Sequence, residues 1–425
     1  MKSLTSNWPL TCSIAILLFA GLAFAGPKES VIYHFKSINQ GDGNNPVAEL
    51  ISDQVGNLYG TTEYGGTGEA CTFGKKSRCG TVFELTPQRP GWTETVLYSF
   101  QGGSDGSWPQ GGLVFDQVGN LYGTTRGPAS DGTVFQLAPP AQQGGAWTET
   151  TIYSFNTYND GFFPVSLIID LAGNLYGENP GFDADLGSIF ELSPPAQKGG
   201  TWTYNVIHTF TDRIQGAEPL GGLIFANHGK LYGTTYEGGC RRTRCLGYGR
   251  GVVFELKPPA TQAGAWSYNI LHMFVDVSDG RWPSGGVTLG PNGNLYGTTT
   301  EGGKAGDGTV FQLSPPAKRG GNWSESIIHN FDRNTESFRP EVGVAIDRKG
   351  NLYGTTLFGE VFELSPPPQQ GGAWTEVVLY NFTGGRDGGY MPSGLILGKL
   401  QFNLFGTTAD GGVQNRGVVF QISLP

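Results

Sequence analysis

The chain has 425 residues and a formal charge of −9. That balance lacks the clustered positive charge on which nucleic-acid binding rests, so nucleic acid is not an expected partner. Charged residues make up only 15% of the chain, and 69 glycines with 26 prolines interrupt it at short intervals, which excludes coiled coils and long helices.

At the N-terminus, Lys2 precedes the apolar run Ile14–Leu22 and the small-residue step Ala23-Phe24-Ala25. This pattern reads as a signal peptide over residues 1–25, too short and wrongly flanked for a stable membrane span. The alternative is an uncleaved N-terminal anchor. Cys12 stands before the apolar run rather than after it, a poor match to a lipoprotein signal. No later stretch reaches membrane-spanning length, so residues 26–425 are expected to be exported, to the periplasm, the cell surface or the medium, without a transmembrane segment.

From Val31 onward, short segments recur in a constant order. One full period runs Gly112–Asp116, a polar turn, Asn120–Thr125, a variable glycine-rich loop, Gly132–Leu137, a Pro-Pro loop, then Trp147–Phe155. An Asp160-Gly161 turn and Pro164 lead into the next copy. The phrase Asn-Leu-Tyr-Gly starts at Asn57, Asn120, Asn174, Asn294 and Asn351, with looser copies at Lys230 and Asn403. The third segment, G-x-[VI]-F-[EQ]-[LI], starts at Gly80, Gly132, Gly187, Gly251, Gly308, Gly359 and Gly417, and Trp92, Trp147, Trp202, Trp266, Trp323 and Trp374 mark the fourth. Four short β-branched and aromatic segments per repeat predict four antiparallel strands, and face-to-face stacking of seven such sheets predicts an all-β, seven-bladed β-propeller forming one domain over 26–425.

The two ends support closure. The repeat region opens with Val31–Phe35, a fourth-strand segment with nothing before it, and finishes with Gly417–Ile422, a third-strand segment with no fourth after it. The N-terminal strand is therefore expected to complete the last blade, leaving no exposed edge. An open β-solenoid is the competing fold, and it leaves the first strand without a place.

The string D-x-x-G-N-L-Y-G-T-T, G-T-V-F-E-L-x-P and W-x-E-x-x-L-Y-x-F-x-G-G-x-D-G-x-x-P-x-G-G-L resembles the GloVer tandem-repeat family of bacterial surface proteins, over essentially all of Val31–Leu424. The resemblance implies export and a repeat fold but no particular activity. In that family unrelated sorting tails follow the repeats, whereas this chain stops at Pro425. The phrase D-x-x-G-N-L-Y also resembles the inner strands of NHL-type propellers, which implies that the Gly112–Asp116 type of segment is innermost.

Alternating strand direction puts the second-to-third-strand loops and the interblade loops on one face, and that face varies most in length and charge. Two of its loops carry the four cysteines of the mature chain, read as local disulfides Cys71–Cys79 and Cys240–Cys245; a metal site is the weaker reading, because no histidine lies nearby. The same loops hold Lys75, Lys76 and Arg78, and Arg241, Arg242 and Arg244, which suit an anionic polymer or a headgroup, or simply remain solvated. Trp108, Phe163 and Trp282 precede interblade prolines and Tyr390 lies close to another; such rings either stack on sugars or wedge between blades.

Other signals carry less. Gly102–Gly106 matches the G-x-S-x-G elbow but lies in an interblade loop rather than a strand-to-helix turn. His208, His272 and His329 occupy a slot filled by Tyr98, Tyr153 and Tyr380 elsewhere and are expected to pack. Asp53, Asp116, Asp170 and Asp347 are expected to accept turn N–H groups, with axial acid–base chemistry as the alternative. The expected function is a binding or interaction module for a glycan, an anionic surface polymer or a surface protein, acting as a monomer without cofactor or metal. The competing expectation is a polysaccharide- or lactone-directed hydrolase or lyase using carboxylates near the axis.

Overall fold

The computed structural model describes residues 26–36, 41–71, 78–127, 131–142, 144–156, 161, 163–181, 185–197, 199–239, 248–261, 264–318, 320–335, 337–369 and 371–425. The proposed signal peptide, Lys75, Lys76, and the Cys240–Cys245 loop with Arg241, Arg242 and Arg244 lie outside these residues.

Seven four-stranded antiparallel sheets form the propeller. Blades 1 to 7 take their second strands from Leu58–Thr62, Leu121–Thr125, Leu175–Asn179, Leu231–Thr235, Leu295–Thr299, Leu352–Thr355 and Asn403–Thr408. Within blade 2 the order from the axis outward is Val114–Phe115, Leu121–Thr125, Thr133–Ala138 and Thr148–Ser154, with Phe115 opposite Leu121 and Phe135 opposite Gly123. Lys28–His34 completes blade 7 as its outermost strand, pairing antiparallel with Val418–Ser423, so that Val31 faces Phe420. The expected closure is observed.

The recurring glycines follow from packing. In every blade the glycine of Asn-Leu-Tyr-Gly lies under the phenylalanine of the neighbouring third strand: a Cβ on Gly123 would meet Phe135 Cζ at 2.6 Å, and one on Gly177 would meet Phe190 Cζ at 2.3 Å. Only glycine lets the ring lie flat on the strand. Those phenylalanines then join neighbouring blades. Phe35 meets Phe83, Phe100 meets Phe135, Phe155 meets Phe190, Phe210 meets Phe254, Phe274 meets Phe311, Phe331 meets Phe362 and Phe382 meets Phe420. One such contact seals each of the seven seams, including the seam between blades 7 and 1. The marker tryptophans act at the other end of the seams, as Trp202 against Tyr122, Trp266 against Tyr176 and Trp92 against Phe405 show.

Strand alternation creates two faces. The upper face carries the second-to-third-strand loops and the interblade loops, which bond to one another, as in Trp108 N to Cys79 O at 2.8 Å and Arg126 N to Ser107 O at 2.9 Å. The lower face carries the Asp-led turns and the Pro-Pro loops. Asp53 accepts hydrogen bonds from the N–H groups of Val55, Gly56 and Asn57 and from Asn57 Nδ2, and Asp116, Asp170 and Asp347 are held in the same manner. These aspartates are turn acceptors.

Candidate functional site

The upper rim is built on one repeated backbone feature. The residue before the interblade proline has a left-handed φ in every blade: Asn45, Trp108, Phe163, Glu218, Trp282, Arg339 and Met391 lie between 56° and 63°. A residue before proline ordinarily prefers extended backbone, and a left-handed φ is uncommon for any residue with a Cβ. Interblade hydrogen bonds hold it in place. Trp282 donates its N–H to Arg250 O at 2.8 Å and accepts from Thr300 N at 3.2 Å, and Met391 donates to Leu357 O at 2.8 Å and accepts from Ala409 N at 3.3 Å. The result is a ring of seven side chains of six kinds, one per blade, on an invariant frame. Strain of this kind gathers at working surfaces.

Between blades 2, 3 and 4 the rim encloses a cavity of about 340 Å³ lined by Phe163, Pro164, Val165, Leu220, Gln110, Arg126 and Glu218, among others. The Arg126 guanidinium lies 4.8 Å from the centre of the Phe163 ring and donates to Gln110 Oε1 at 3.0 Å. Gln110 Nε2 in turn donates to Glu63 Oε1 at 2.6 Å, and Asn45 Nδ2 donates to Glu63 Oε2 at 2.6 Å. Burial, reinforced by nearby Glu237, raises the Glu218 carboxyl above its ordinary range, although Arg213 opposes the shift. The cavity therefore offers one aromatic face, a fixed cation, an amide and a carboxyl.

Aromatic residues continue around the rim. Trp282 is stacked on Tyr236 with ring centres 5.7 Å apart, and Arg281 sits over its indole at 4.3 Å while pairing with Glu301. Phe338 and Phe358 are 4.5 Å apart, and Phe358 approaches Tyr390 at 6.1 Å. Tyr390 and Met391 are each about half exposed, and it is Met391 that fills the pre-proline slot. Trp108 differs: it packs on the buried cluster containing Cys71, Cys79 and Phe100. The Cys71–Cys79 disulfide is present and fully buried, its Cα atoms 5.2 Å apart, and a Cβ on Gly102 would meet both sulfurs. Arg78 Nη1 donates to Gly66 O at 3.2 Å.

Two carboxylates nearer the axis escaped the sequence reading. Around the axis the equivalent positions are Glu49, Gly112, Ser166, Gly222, Gly286, Gly343 and Gly394, and a Cβ on Gly394 would come within 3.1 Å of Glu49 Oε2. Glu49 is exposed at the axis, yet the atoms packed around it desolvate its carboxyl and push it up to about 7. Glu178 replaces the threonine that in other blades donates to the next blade, as Thr124 Oγ1 does to Val165 O at 3.2 Å. It is fully buried, accepts from Gly222 N at 2.7 Å, leaves Oε1 without a hydrogen bond among the described residues, and is pushed by burial up to about 8. Each glutamate interrupts the repeat at a small-residue position, and that break was the available signal.

The histidines pack as expected. His208 and His272 lie in the seams, where burial pulls both down to about 4. Ser104 of the elbow-like segment sits in an exposed turn whose Asp105 accepts from Tyr98 Oη and Gln101 N. Among the described residues no group of histidine, cysteine and carboxylate side chains could hold a metal ion, and no helix is long and apolar enough to cross a membrane.

The fold resembles several solved structures at identities that bear on architecture alone. A protein from Lactobacillus plantarum aligns with a TM-score of 0.54 at 14% identity, covering 83% of this chain and 94% of that one. The polysaccharide lyase Uly1 aligns with a TM-score of 0.53 at 10% identity over 94% and 99% of the two chains. PorZ, an essential bacterial surface component of the type-IX secretion system of Porphyromonas gingivalis, aligns with a TM-score of 0.52 at 15% identity over 89% of this chain; the match spans only 47% of PorZ. No curated protein sequence matches the chain. The Gloeobacter/Verrucomicrobia repeat matches residues 20–178, 69–261 and 178–372, and with most of its length so covered the chain belongs to that repeat family.

Proposed function

We propose that the protein is an exported, monomeric binding module that recognises a glycan on its upper rim. The observation that carries this reading is the cavity where Phe163, Arg126, Gln110 and Glu218 converge. A sugar has an apolar face for the ring and hydroxyls for the amide, guanidinium and carboxyl. The exposed Phe358, Tyr390 and Met391 extend the same chemistry toward a longer chain. Arg213, Arg281, Arg333 and Arg339 on the upper face each sit against a carboxylate, which favours a neutral glycan over an anionic polymer. The basic loops with Lys75, Lys76, Arg241, Arg242 and Arg244 belong to the proposal as flanking contacts, and the proposed disulfide Cys240–Cys245 would pin the second of them. A glycan array probed with the wild type and with Phe163→Ala tests the reading. Binding lost with Phe163→Ala supports it, and an identical pattern with both proteins contradicts it.

A second reading rests on Glu49 and Glu178, two carboxyls near the axis raised to about 7 and about 8, so that protonated forms are populated at neutral pH. Such groups suit general-acid cleavage of a polysaccharide or lactone. Incubating array-positive glycans with the wild type and with Glu178→Gln separates the two: release of shortened product by the wild type alone supports an enzyme, and no product from either supports a binding module.

A further inference from the structure

We infer that the lower face is a docking surface for an anionic lipid bilayer, separate from the glycan site of the upper rim. Four consecutive blades, 7, 1, 2 and 3, present a large apolar side chain at the tip of the turn between the first and second strands. Leu400 is 76% exposed, Phe402 62%, Val55 79%, Val118 77% and Leu171 90%. The corresponding tips of blades 4, 5 and 6 are polar or short: Asn227-His228, Pro291-Asn292 and Arg348-Lys349.

Hydrogen bonds tie several neighbouring tips together. Lys399 Nζ donates to Gln54 O, Gln117 Nε2 donates to Leu171 O at 3.0 Å, and Arg348 N donates to Gln401 Oε1 at 3.1 Å. A turn whose only task is to reverse the chain has no need of an exposed leucine, and repeated apolar tips on one face mark an interaction surface. Leu171 also borders a hollow of about 780 Å³ with Phe115, Ile169, Phe225 and Trp266, and the exposed tips beside it suit insertion between lipid headgroups.

Charge on the same face selects the partner. Lys28, Arg89, Lys318, Arg348, Lys349 and Lys399 are all exposed there. The acids of the face are not: Asp53, Asp116, Asp170 and Asp347 are tied into turns, Glu84 and Glu191 accept from Tyr59 and Tyr176, and Glu255 pairs with Lys230 and Lys257. On a chain of formal charge −9 this leaves a cationic rim around an apolar crescent, the combination that peripheral contact with anionic lipid requires. The first described strand also starts on this face, since Lys28 lies opposite Ser423 and Leu424 N bonds to Phe402 O. A membrane below would leave the upper rim facing outward.

Flotation of the purified protein with vesicles tests the inference. Vesicles of equal parts phosphatidylcholine and phosphatidylglycerol are expected to carry the protein, and phosphatidylcholine alone is not. The double variants Leu171→Asp/Phe402→Asp and Lys349→Glu/Lys399→Glu should each weaken flotation by about tenfold or more, and added salt should weaken it as well. All four positions are exposed, so unchanged circular dichroism and melting are expected to accompany the loss. Flotation unaltered in both variants, as residues 14–22 alone would produce, overturns the inference, as does absence of flotation with either vesicle. A wild-type dimer in light scattering that Leu171→Asp/Phe402→Asp dissolves would assign the face to a second copy and equally overturn it.

Discussion

His208 lies flat against Tyr268, ring centres 4.2 Å apart and planes within 2° of parallel, across the seam between blades 3 and 4. The equivalent pair one seam earlier, Tyr153 and Tyr204, is also stacked, at 4.6 Å. At other seams the second position is a glutamate: Tyr33 Oη donates to Glu94 at 3.4 Å, and His329 Nε2 lies 3.6 Å from Glu376. The outer seam thus has two solutions, a polar pair or a stack, and tyrosine at the strand's third position selects the stack.

Replacing Tyr268 by Glu should convert one solution into the other. Burial alone holds His208 near 4, and it holds His272 there as well although the position equivalent to Tyr268 is Glu325 in that seam, so the converted seam should leave the His208 titration low, read from imidazole shifts in NMR. Tyr268→Ala removes the stacked ring with no substitute and should cost about 2–3 kcal/mol in denaturant unfolding. A His208 titration that rises to the ordinary imidazole value in Tyr268→Glu contradicts the account of the seam.

Stability should fall as pH rises across the neutral range. Burial raises Glu29, Glu94, Glu149 and Glu325 to about 7, together with Glu49 near 7 and Glu178 near 8. Between the unfolded carboxylate value and these folded values the native state binds more protons than the unfolded state, so stability decreases with pH through that window and levels off above about 8. His208 and His272, lowered to about 4, and His34, lowered by desolvation, act in the opposite sense below the ordinary imidazole value, but the raised carboxyls outnumber them. The melting temperature is expected to be higher at pH 5.5 than at pH 8.5, and the reverse order would contradict the burial assigned to these carboxyls.

The strand glycines should be intolerant of a single methyl. A Cβ at Gly233 would meet Phe254 Cζ at 2.6 Å inside a fully buried seam. Gly233→Ala should therefore destabilise by about 1–3 kcal/mol through overpacking. Adding Phe254→Leu should recover part of the loss, measured as coupling in a double-mutant cycle.

Closure was legible because Val31–Phe35 had no blade of its own and Gly417–Ile422 lacked an outer strand. The turn role of Asp53 and its copies and the Cys71–Cys79 pairing were legible because both are local in sequence. The left-handed rim was not, since its φ depends on hydrogen bonds between blades, and only three of the seven side chains in that slot, Trp108, Phe163 and Trp282, share a chemistry. Glu49 and Glu178 are departures from the repeat, so the periodic pattern that marks strands and turns carries no sign of them. The exposed lower tips were hidden because residues 117–119 and their copies read as a polar turn, and the exposure of Val55, Val118 and Leu171 follows from the fold.

Reducing the buried disulfide should soften one sector without opening the ring. Cys71→Ser/Cys79→Ser removes a cross-link across a sequence separation of 8, which stabilises by about 2 kcal/mol. A lower melting temperature with native circular dichroism is expected, and Gly102→Ala should mimic part of the effect because its methyl would collide with both sulfurs.

Isothermal titration of an array-positive glycan into three proteins tests the upper-rim assignment most directly: the wild type, Phe163→Ala/Arg126→Ala, and the lower-face variant Leu171→Asp/Phe402→Asp. The account predicts that the rim variant loses affinity by about tenfold or more, the scale expected for losing a stacking face and a charged donor, while the lower-face variant binds as the wild type does. Full affinity in the rim variant, or a loss confined to the lower-face variant, would contradict it.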